Sequence, residues 1–265
     1  MAKLPPLTDS HCHVYAKEYD LDASGLVEEA YENGITDIFM VGTTVANSVE
    51  AVEFAKRHQN ISAIVGVHPH EAKHFDDTSA GLLTELISQN QTKIVAVGEI
   101  GLDYFYGFSQ IDQQQLALVA QLEIAEGYNL PCSFHVRGAS DKPDKVFDDF
   151  WMILDDFPNV RGVLHSFTAS SVQLSIAKER KLLIGINGIL TFSKDESQLK
   201  MLRQINDDQI IFETDAPYLT PKPHRGKVNK PSYVRLVAEQ IAQKRNQSVE
   251  HLSACSQANV RRLFY

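Results

Sequence analysis

Short apolar runs alternate with longer amphipathic ones from one end of the chain to the other. The apolar runs span residues 7–13, 36–42, 61–68, 93–99, 131–136, 161–166, 182–189 and 209–215. Each is short and rich in β-branched or aromatic residues, the pattern of strands buried on both faces of a parallel sheet. Between and after them, residues 23–33, 46–58, 78–89, 110–128, 142–156, 171–181, 195–205, 231–245 and 248–263 carry helical periodicity. Eight strand–helix units without a Pro/Gly/Ser-rich linker, repeat or low-complexity stretch predict one α/β domain over residues 1–265. Both a closed (β/α)8 barrel (a TIM barrel) and a doubly wound open sheet fit the alternation. The polar residues favour the barrel. Most apolar runs carry a histidine or a carboxylate at or next to their last position, and a closed barrel gathers strand ends at one mouth. The last amphipathic segment, with Leu252, Cys255, Asn259 and Leu263 on one face, reads as a C-terminal closing helix.

Composition changes this picture little. With 265 residues, 43 % hydrophobic and 22 % charged, the chain has the balance of a globule and not of a disordered segment. No run approaches the roughly 20 apolar residues of a membrane span. The start at Met1–Pro6 lacks the apolar stretch of a secretory signal, so a cytoplasmic protein without membrane or obligate protein partner is expected. Cys12, Cys132 and Cys255 are odd in number and not at metal-type spacing, which argues against a disulfide framework. The net charge of −9 argues against a protein that coats nucleic acid by bulk electrostatics. It does not exclude a nuclease, because bound divalent cations invert the local sign.

The chemistry lies at the strand ends. His11 and His13 are two apart and project from one face of a strand, a metal half-site. Taken alone, a polar strand end with incidental histidines explains them equally well. Glu99, between Gly98 and Gly101, ends an apolar run, where a carboxylate is costly to bury unless paired or metal-bound. His135, His165 and Asp215 repeat the pattern. Together His11, His13, Glu99, His135, His165 and Asp215 offer six ligands, which suits two divalent metal ions with a bridging carboxylate. The mixed imidazole and carboxylate set suits zinc, manganese, iron or nickel, and magnesium through its oxygens.

Seven ordered motifs carry a family resemblance. They are Asp9–His13, Gly66–Pro69, Gly98–Tyr104, His135–Arg137, His165–Thr168, Glu213–Leu219 and Arg225–Lys227, with Ala258–Phe264 at the end. The chain resembles the TatD family of metal-dependent deoxyribonucleases, within the amidohydrolase-like barrels. The resemblance implies a (β/α)8 fold and hydrolysis of DNA phosphodiester bonds by a metal-activated water. It implies one metal held by His11, His13 and Asp215, a second by His135 and His165, and Glu99 bridging both. Ala169 stands where the family often has glycine, and Gly138-Ala139 where an acidic residue is common, departures that touch loops and no ligand.

Asp215, which can bind metal and take a proton from water, is the expected general base, with Glu99 the second catalytic carboxylate. His68, His70, Arg137, Arg225 and Lys227 are expected to grip the substrate. From Ala216 to Ala238 there is no acidic residue, while Lys222, Arg225, Lys227, Lys230 and Arg235 add five positive charges, which favours an anionic substrate. Tyr104, Phe105, Tyr106 and Phe108 read equally as a stack for single-stranded bases or as packing of a long loop. DNA, including single-stranded DNA, is therefore the expected substrate. The rival readings are a small-molecule amidohydrolase, an ester hydrolase acting on aminoacyl-RNA, and a non-catalytic barrel with structural metal. Many amidohydrolases bridge their metals with a lysine after the fourth strand; Glu99 and the basic 222–230 segment favour phosphate chemistry.

Overall fold

The computed structural model describes residues 5–14 and 23–265. The first four residues, part of the expected leaderless start, lie outside them. Among the described residues, eight strands form one parallel sheet in sequence order and alternate with helices, the (β/α)8 architecture. The strands are β1 (Leu7–Cys12), β2 (Ile35–Val41), β3 (Ile61–Val65), β4 (Ile94–Asp103), β5 (Cys132–Arg137), β6 (Gly162–Leu164), β7 (Leu183–Ile186) and β8 (Ile210–Phe212). The helices are α1 (Ala23–Glu32), α2 (Val45–Lys56), α3 (Asp77–Gln89), α4 (Ile111–Gly127), α5 (Lys145–Asp155), α6 (Ser171–Glu179), α7 (Ile189–Phe192), α8 (Glu196–Gln204), α9 (Val234–Arg245) and α10 (Val249–Phe264). Among the described residues no helix is long and apolar enough to cross a membrane.

Three features differ from the pattern-based expectation. The strand expected to end at Glu99 continues to Asp103, which puts Glu99 inside β4. A 3-10 turn, Pro69–His74, follows β3, and the short α7 follows β7. Polar side chains on two-sided buried backbone hid the first; the others are too short to show a periodicity.

The chain divides into two compact units, each described by itself. The first comprises the described residues up to Met40, Ser166–Leu263 and Tyr265. Here β1 pairs with β2, β7 with β8, and Cys12 bridges to Ala216 beyond β8. Phe39, Ile184, Ile186, Ile210 and Phe212 are fully buried, and each such side chain contributes about 1.5–3 kcal/mol on burial. The α10 helix docks by its buried polar residues as well as by Leu252. Asn259 donates to the carbonyls of Asp207 and Ile210, Ser256 accepts the Phe212 N–H, and Gln257 accepts the Thr8 hydroxyl. The Asp207 carboxylate clamps the turn into α10, taking Arg245 at 2.6 Å and His251 at 2.7 Å.

The second unit comprises Val41–His165 and Phe264. Here β3, β4, β5 and β6 pair in order. Its core contains Ile64, Val97, Ile100, Phe134 and Phe150, the last two rings edge-on at 5.1 Å. Helix starts follow ordinary capping: Thr44 accepts the Asn47 N–H and Asp76 the Ser79 N–H. Buried Gln114 and Gln121 of α4 accept the N–H groups of Asp103 and Val67, which ties that helix to the strand ends.

Candidate functional site

In the first unit, β1 delivers His11 and His13, and the turn after β8 delivers Asp215. The Asp215 N–H donates to the His11 carbonyl and the His13 N–H to the Ala216 carbonyl, which fixes the two segments side by side. Asp215 sits at φ 57°, a left-handed conformation uncommon for a non-glycine residue and often seen where a side chain is aimed for function. Its Oδ1 lies 3.9 Å from His11 Nε2 and 3.4 Å from His13 Nε2. Behind them the fully buried Asp9 accepts the Thr214 N–H at 2.8 Å and the Thr214 hydroxyl at 2.6 Å. Burial pushes the Asp9 carboxyl up to about 8, against the lowering effect of those hydrogen bonds. Buried Glu213, in the same motif as Asp215, accepts the Ser166 N–H at 2.7 Å.

In the second unit, His68 after β3, His135 of β5 and His165 after β6 converge on the buried Glu99 carboxylate inside β4. Glu99 Oε1 lies 2.9 Å from His135 Nδ1, 3.6 Å from His68 Nε2 and 3.7 Å from His165 Nε2. His68, Glu99 and His135 each offer a ligand atom within 4.8 Å of the others. His135 stands between two carboxylates, its Nε2 2.9 Å from Asp103 Oδ2 and its Nδ1 2.9 Å from Glu99 Oε1. A neutral ring carries one N–H, so at one of these contacts a lone pair would face a carboxylate oxygen, and two acceptors at that distance need a cation between them. Burial disfavours imidazolium here, but the hydrogen bonds with Asp103 and Glu99 outweigh it and raise His135 to about 9. A proton fills that role in the metal-free protein; a divalent ion fits the same donors.

His68 differs. Its Nδ1 accepts the His70 N–H at 3.1 Å, so the neutral ring presents Nε2–H. Burial holds the ring well below its ordinary value despite the nearby Glu99, which keeps it neutral. It is built as a donor and not as a lone-pair ligand. His70 Nε2 lies 3.0 Å from Asp103 Oδ2. Asp103 is therefore the hub that the sequence reading missed. Its Oδ2 faces His70 and His135, and its Oδ1 accepts the N–H groups of Phe105 and Tyr106 at 2.9 and 3.0 Å. Burial opposes its ionised form, but the hydrogen bonds from His135 and His70 hold it far below the usual carboxylate range. The four-residue spacing from Glu99 was the available signal, since it puts both on one face of a strand.

The expected substrate residues fall into two kinds. Arg137 is exposed, with its guanidinium carbon 4.1 Å from the Phe105 ring centroid and 4.8 Å from that of Tyr106. Arg225 and Lys227 are also exposed, Arg225 lying 3.4 Å over Phe192. The basic segment is weaker than its charge count. Lys230 pairs with Glu29 at 2.9 Å, and buried Arg235 donates to the carbonyls of Pro5, Asn33 and Gly34. These two cations serve structure, through partners some 200 residues away in sequence. A further cluster, Asp207, His251 and Cys255, offers metal-type atoms, but Arg245 already neutralises its carboxylate.

The family model described as TatD related DNase matches residues 8–265. A 3'-5' ssDNA/RNA exonuclease TatD from Salmonella typhimurium is 33 % identical, over 97 % of this chain and 98 % of its own. An uncharacterized metal-dependent hydrolase, YabD of Bacillus subtilis, is 31 % identical with the same coverage. A crystal structure of a TatD homolog from Escherichia coli K12 superposes with a TM-score of 0.89 at 25 % identity, covering 97 % of each chain.

Proposed function

The chain belongs to the TatD-related DNase family of metal-dependent hydrolases, and from that membership we propose that it hydrolyses phosphodiester bonds of nucleic acid, with single strands as the preferred substrate. The observation that carries the reading is the buried Glu99 oxygen facing three imidazoles, with His135 Nδ1 only 2.9 Å away. That donor chemistry calls for a cation. The curated TatD relatives named as ssDNA/RNA exonucleases support the choice of substrate. The match over residues 8–265 supports reading the chain as one hydrolase domain.

The ligands we assign are His11, His13 and Asp215 for one metal, and His135 and His165 for the other. Glu99 would serve both sets, the role that the family resemblance implies. Bound divalent ions would neutralise the phosphate oxygens and lower the pKa of water. The protein's own groups do the rest. The Asp215 carboxylate takes the proton from the attacking water. The neutral His68 ring offers Nε2–H to a phosphate oxygen. Asp103 holds the His135 proton on Nε2 and so keeps Nδ1 as the ligand atom. Arg137, Arg225 and Lys227 attract the polyanion.

The test strips the protein of metal and adds back magnesium, manganese, zinc, iron or nickel one at a time. Cleavage is followed on end-labelled single- and double-stranded DNA, on RNA and on aminoacyl-RNA. Metal-dependent release of nucleotides from single-stranded DNA or RNA is the expected result. Deacylation without strand cleavage, or metal bound without turnover of any substrate, would overturn the reading. In Glu99→Ala, elemental analysis is expected to show loss of both metals and not of one.

A further inference from the structure

The loop that follows β4 exposes three aromatic rings. Phe105, Tyr106 and Phe108 are 43, 48 and 54 % exposed. Their arrangement is ordered. Tyr106 and Phe108 stack at 5.3 Å with planes 13° apart, and Phe105 stands edge-on to Tyr106 at 4.8 Å. The backbone beneath is pinned. Asp103 Oδ1 accepts two of its N–H groups, the Tyr104 N–H donates to the Arg137 carbonyl, and the Tyr104 hydroxyl bonds Asp149. Ser109 at the loop's end donates to the His70 carbonyl. Tyr104 thus anchors the loop, and the three later rings face water on a fixed backbone.

Two further observations narrow what covers them. Arg137 is exposed and its guanidinium lies over the Phe105 and Tyr106 rings, so a cation sits against part of the aromatic surface and leaves Phe108 uncovered by it. His70 packs edge-on against Tyr106 at 5.2 Å and Phe108 at 4.8 Å, while its Nε2 bonds the same Asp103 oxygen as His135. The rings are therefore continuous with the Glu99 ligand cluster. A flat π surface beside a guanidinium matches one unit of a single strand: a planar base and its phosphate. In a duplex the faces of internal bases are already stacked on their neighbours and cannot reach such a surface.

We infer that the Tyr106–Phe108 pair is a stacking platform for an unpaired nucleobase of the substrate strand, with Arg137 holding the adjoining phosphate. This rests on the nuclease reading above and deepens it, since it locates single-strand preference in one loop.

The test uses metal-loaded protein and phosphorothioate-linked single-stranded oligonucleotides carrying 2-aminopurine at successive positions from the 3' end. Stacking quenches this fluorophore. Wild-type protein is expected to quench it at one position. Tyr106→Ala combined with Phe108→Ala should abolish the quench and weaken binding about 5- to 150-fold, the range for losing base–aromatic stacking. Tyr106→Phe should keep the quench, because the ring is what matters. In cleavage assays, the wild-type preference for base-bearing over abasic strands should collapse toward one in the double variant. No quench at any position, or equal quench and affinity in wild type and double variant, would overturn the platform. So would an equally tight blunt duplex. If wild-type protein cleaves no phosphodiester, the nuclease reading fails in the cleavage assay while the fluorescence titration still decides the platform.

Discussion

At Asp103 one buried carboxylate serves two tasks through its two oxygens: Oδ1 holds the loop carrying the exposed rings, and Oδ2 holds His70 and His135. A carboxylate can do this because it accepts at every lone pair and donates nowhere. Asn has nearly the same shape but one acceptor oxygen and one NH2. If the oxygen keeps the loop amides, the NH2 meets two imidazole Nε2–H groups. His135 must then move its proton to Nδ1, the atom that faces Glu99 at 2.9 Å, and the lone pair needed by a metal disappears. Asp103→Asn is therefore expected to lower metal affinity about 10- to 100-fold, as removal of an outer partner of a ligating histidine commonly does. Orphaned buried donors should also cost about 1–3 kcal/mol of stability. Metal titration by calorimetry and urea denaturation of the metal-free protein measure the two effects. Unchanged metal affinity would mean that His135 does not depend on Asp103 for its tautomer.

Among the elements, the β4–β5 pair governs this arrangement, because it sets Glu99 and Asp103 beside His135. The pairing register runs Gly101 to His135 and Asp103 to Arg137. Gly101 has φ +145°, and a Cβ there would lie 1.9 Å from the His135 carbonyl oxygen. Neither the backbone angle nor the space tolerates a side chain. Gly101→Ala should cost about 3 kcal/mol, in the range of overpacking and backbone strain, and should displace the ligand strands together. Its signature is lost metal affinity alongside a lower urea midpoint; a stable variant with normal metal binding would contradict it. This pair also marks how far the sequence could be read. Apolar runs located all eight strands, since two-sided burial leaves only hydrophobic residues between the turns. All six proposed ligands lie in those runs, at or near their C-terminal ends. The continuation of β4 to Asp103 escaped because Gly98, Glu99, Gly101 and Asp103 look like a strand end, and only the pairing with β5 shows that the strand goes on. The Pro69–His74 turn escaped because six residues carry no usable period. His68 was legible as a polar residue near the site, but not its tautomer, which depends on the backbone N–H of His70.

At the scale of the whole molecule, a net charge of −9 works against any polyanion, so local charge has to overcome it. The structure sorts the local cations by their partners. Lys230 and Arg235 are committed to Glu29 and to backbone carbonyls, whereas Arg225 and Lys227 sit exposed on the segment that follows Asp215. Counting charges along the sequence overstates the attraction, because both structural partners lie some 200 residues upstream. Arg225→Ala with Lys227→Ala should therefore weaken single-stranded DNA binding and flatten its salt dependence. Each lost phosphate contact on a single strand lowers the slope of log affinity against log salt by about 0.7, so the double variant should lose up to about 1.4. Metal content should stay at the wild-type level, since neither residue belongs to the proposed ligand set. Lys230→Ala should behave in the opposite way: salt slope unchanged, and stability reduced by at most about 1 kcal/mol, because its pair with Glu29 is partly exposed. Affinity measured by fluorescence anisotropy at several salt concentrations separates the two variants. A salt slope that falls in Lys230→Ala and not in the Arg225/Lys227 variant would reverse the assignment of substrate-facing and structural cations.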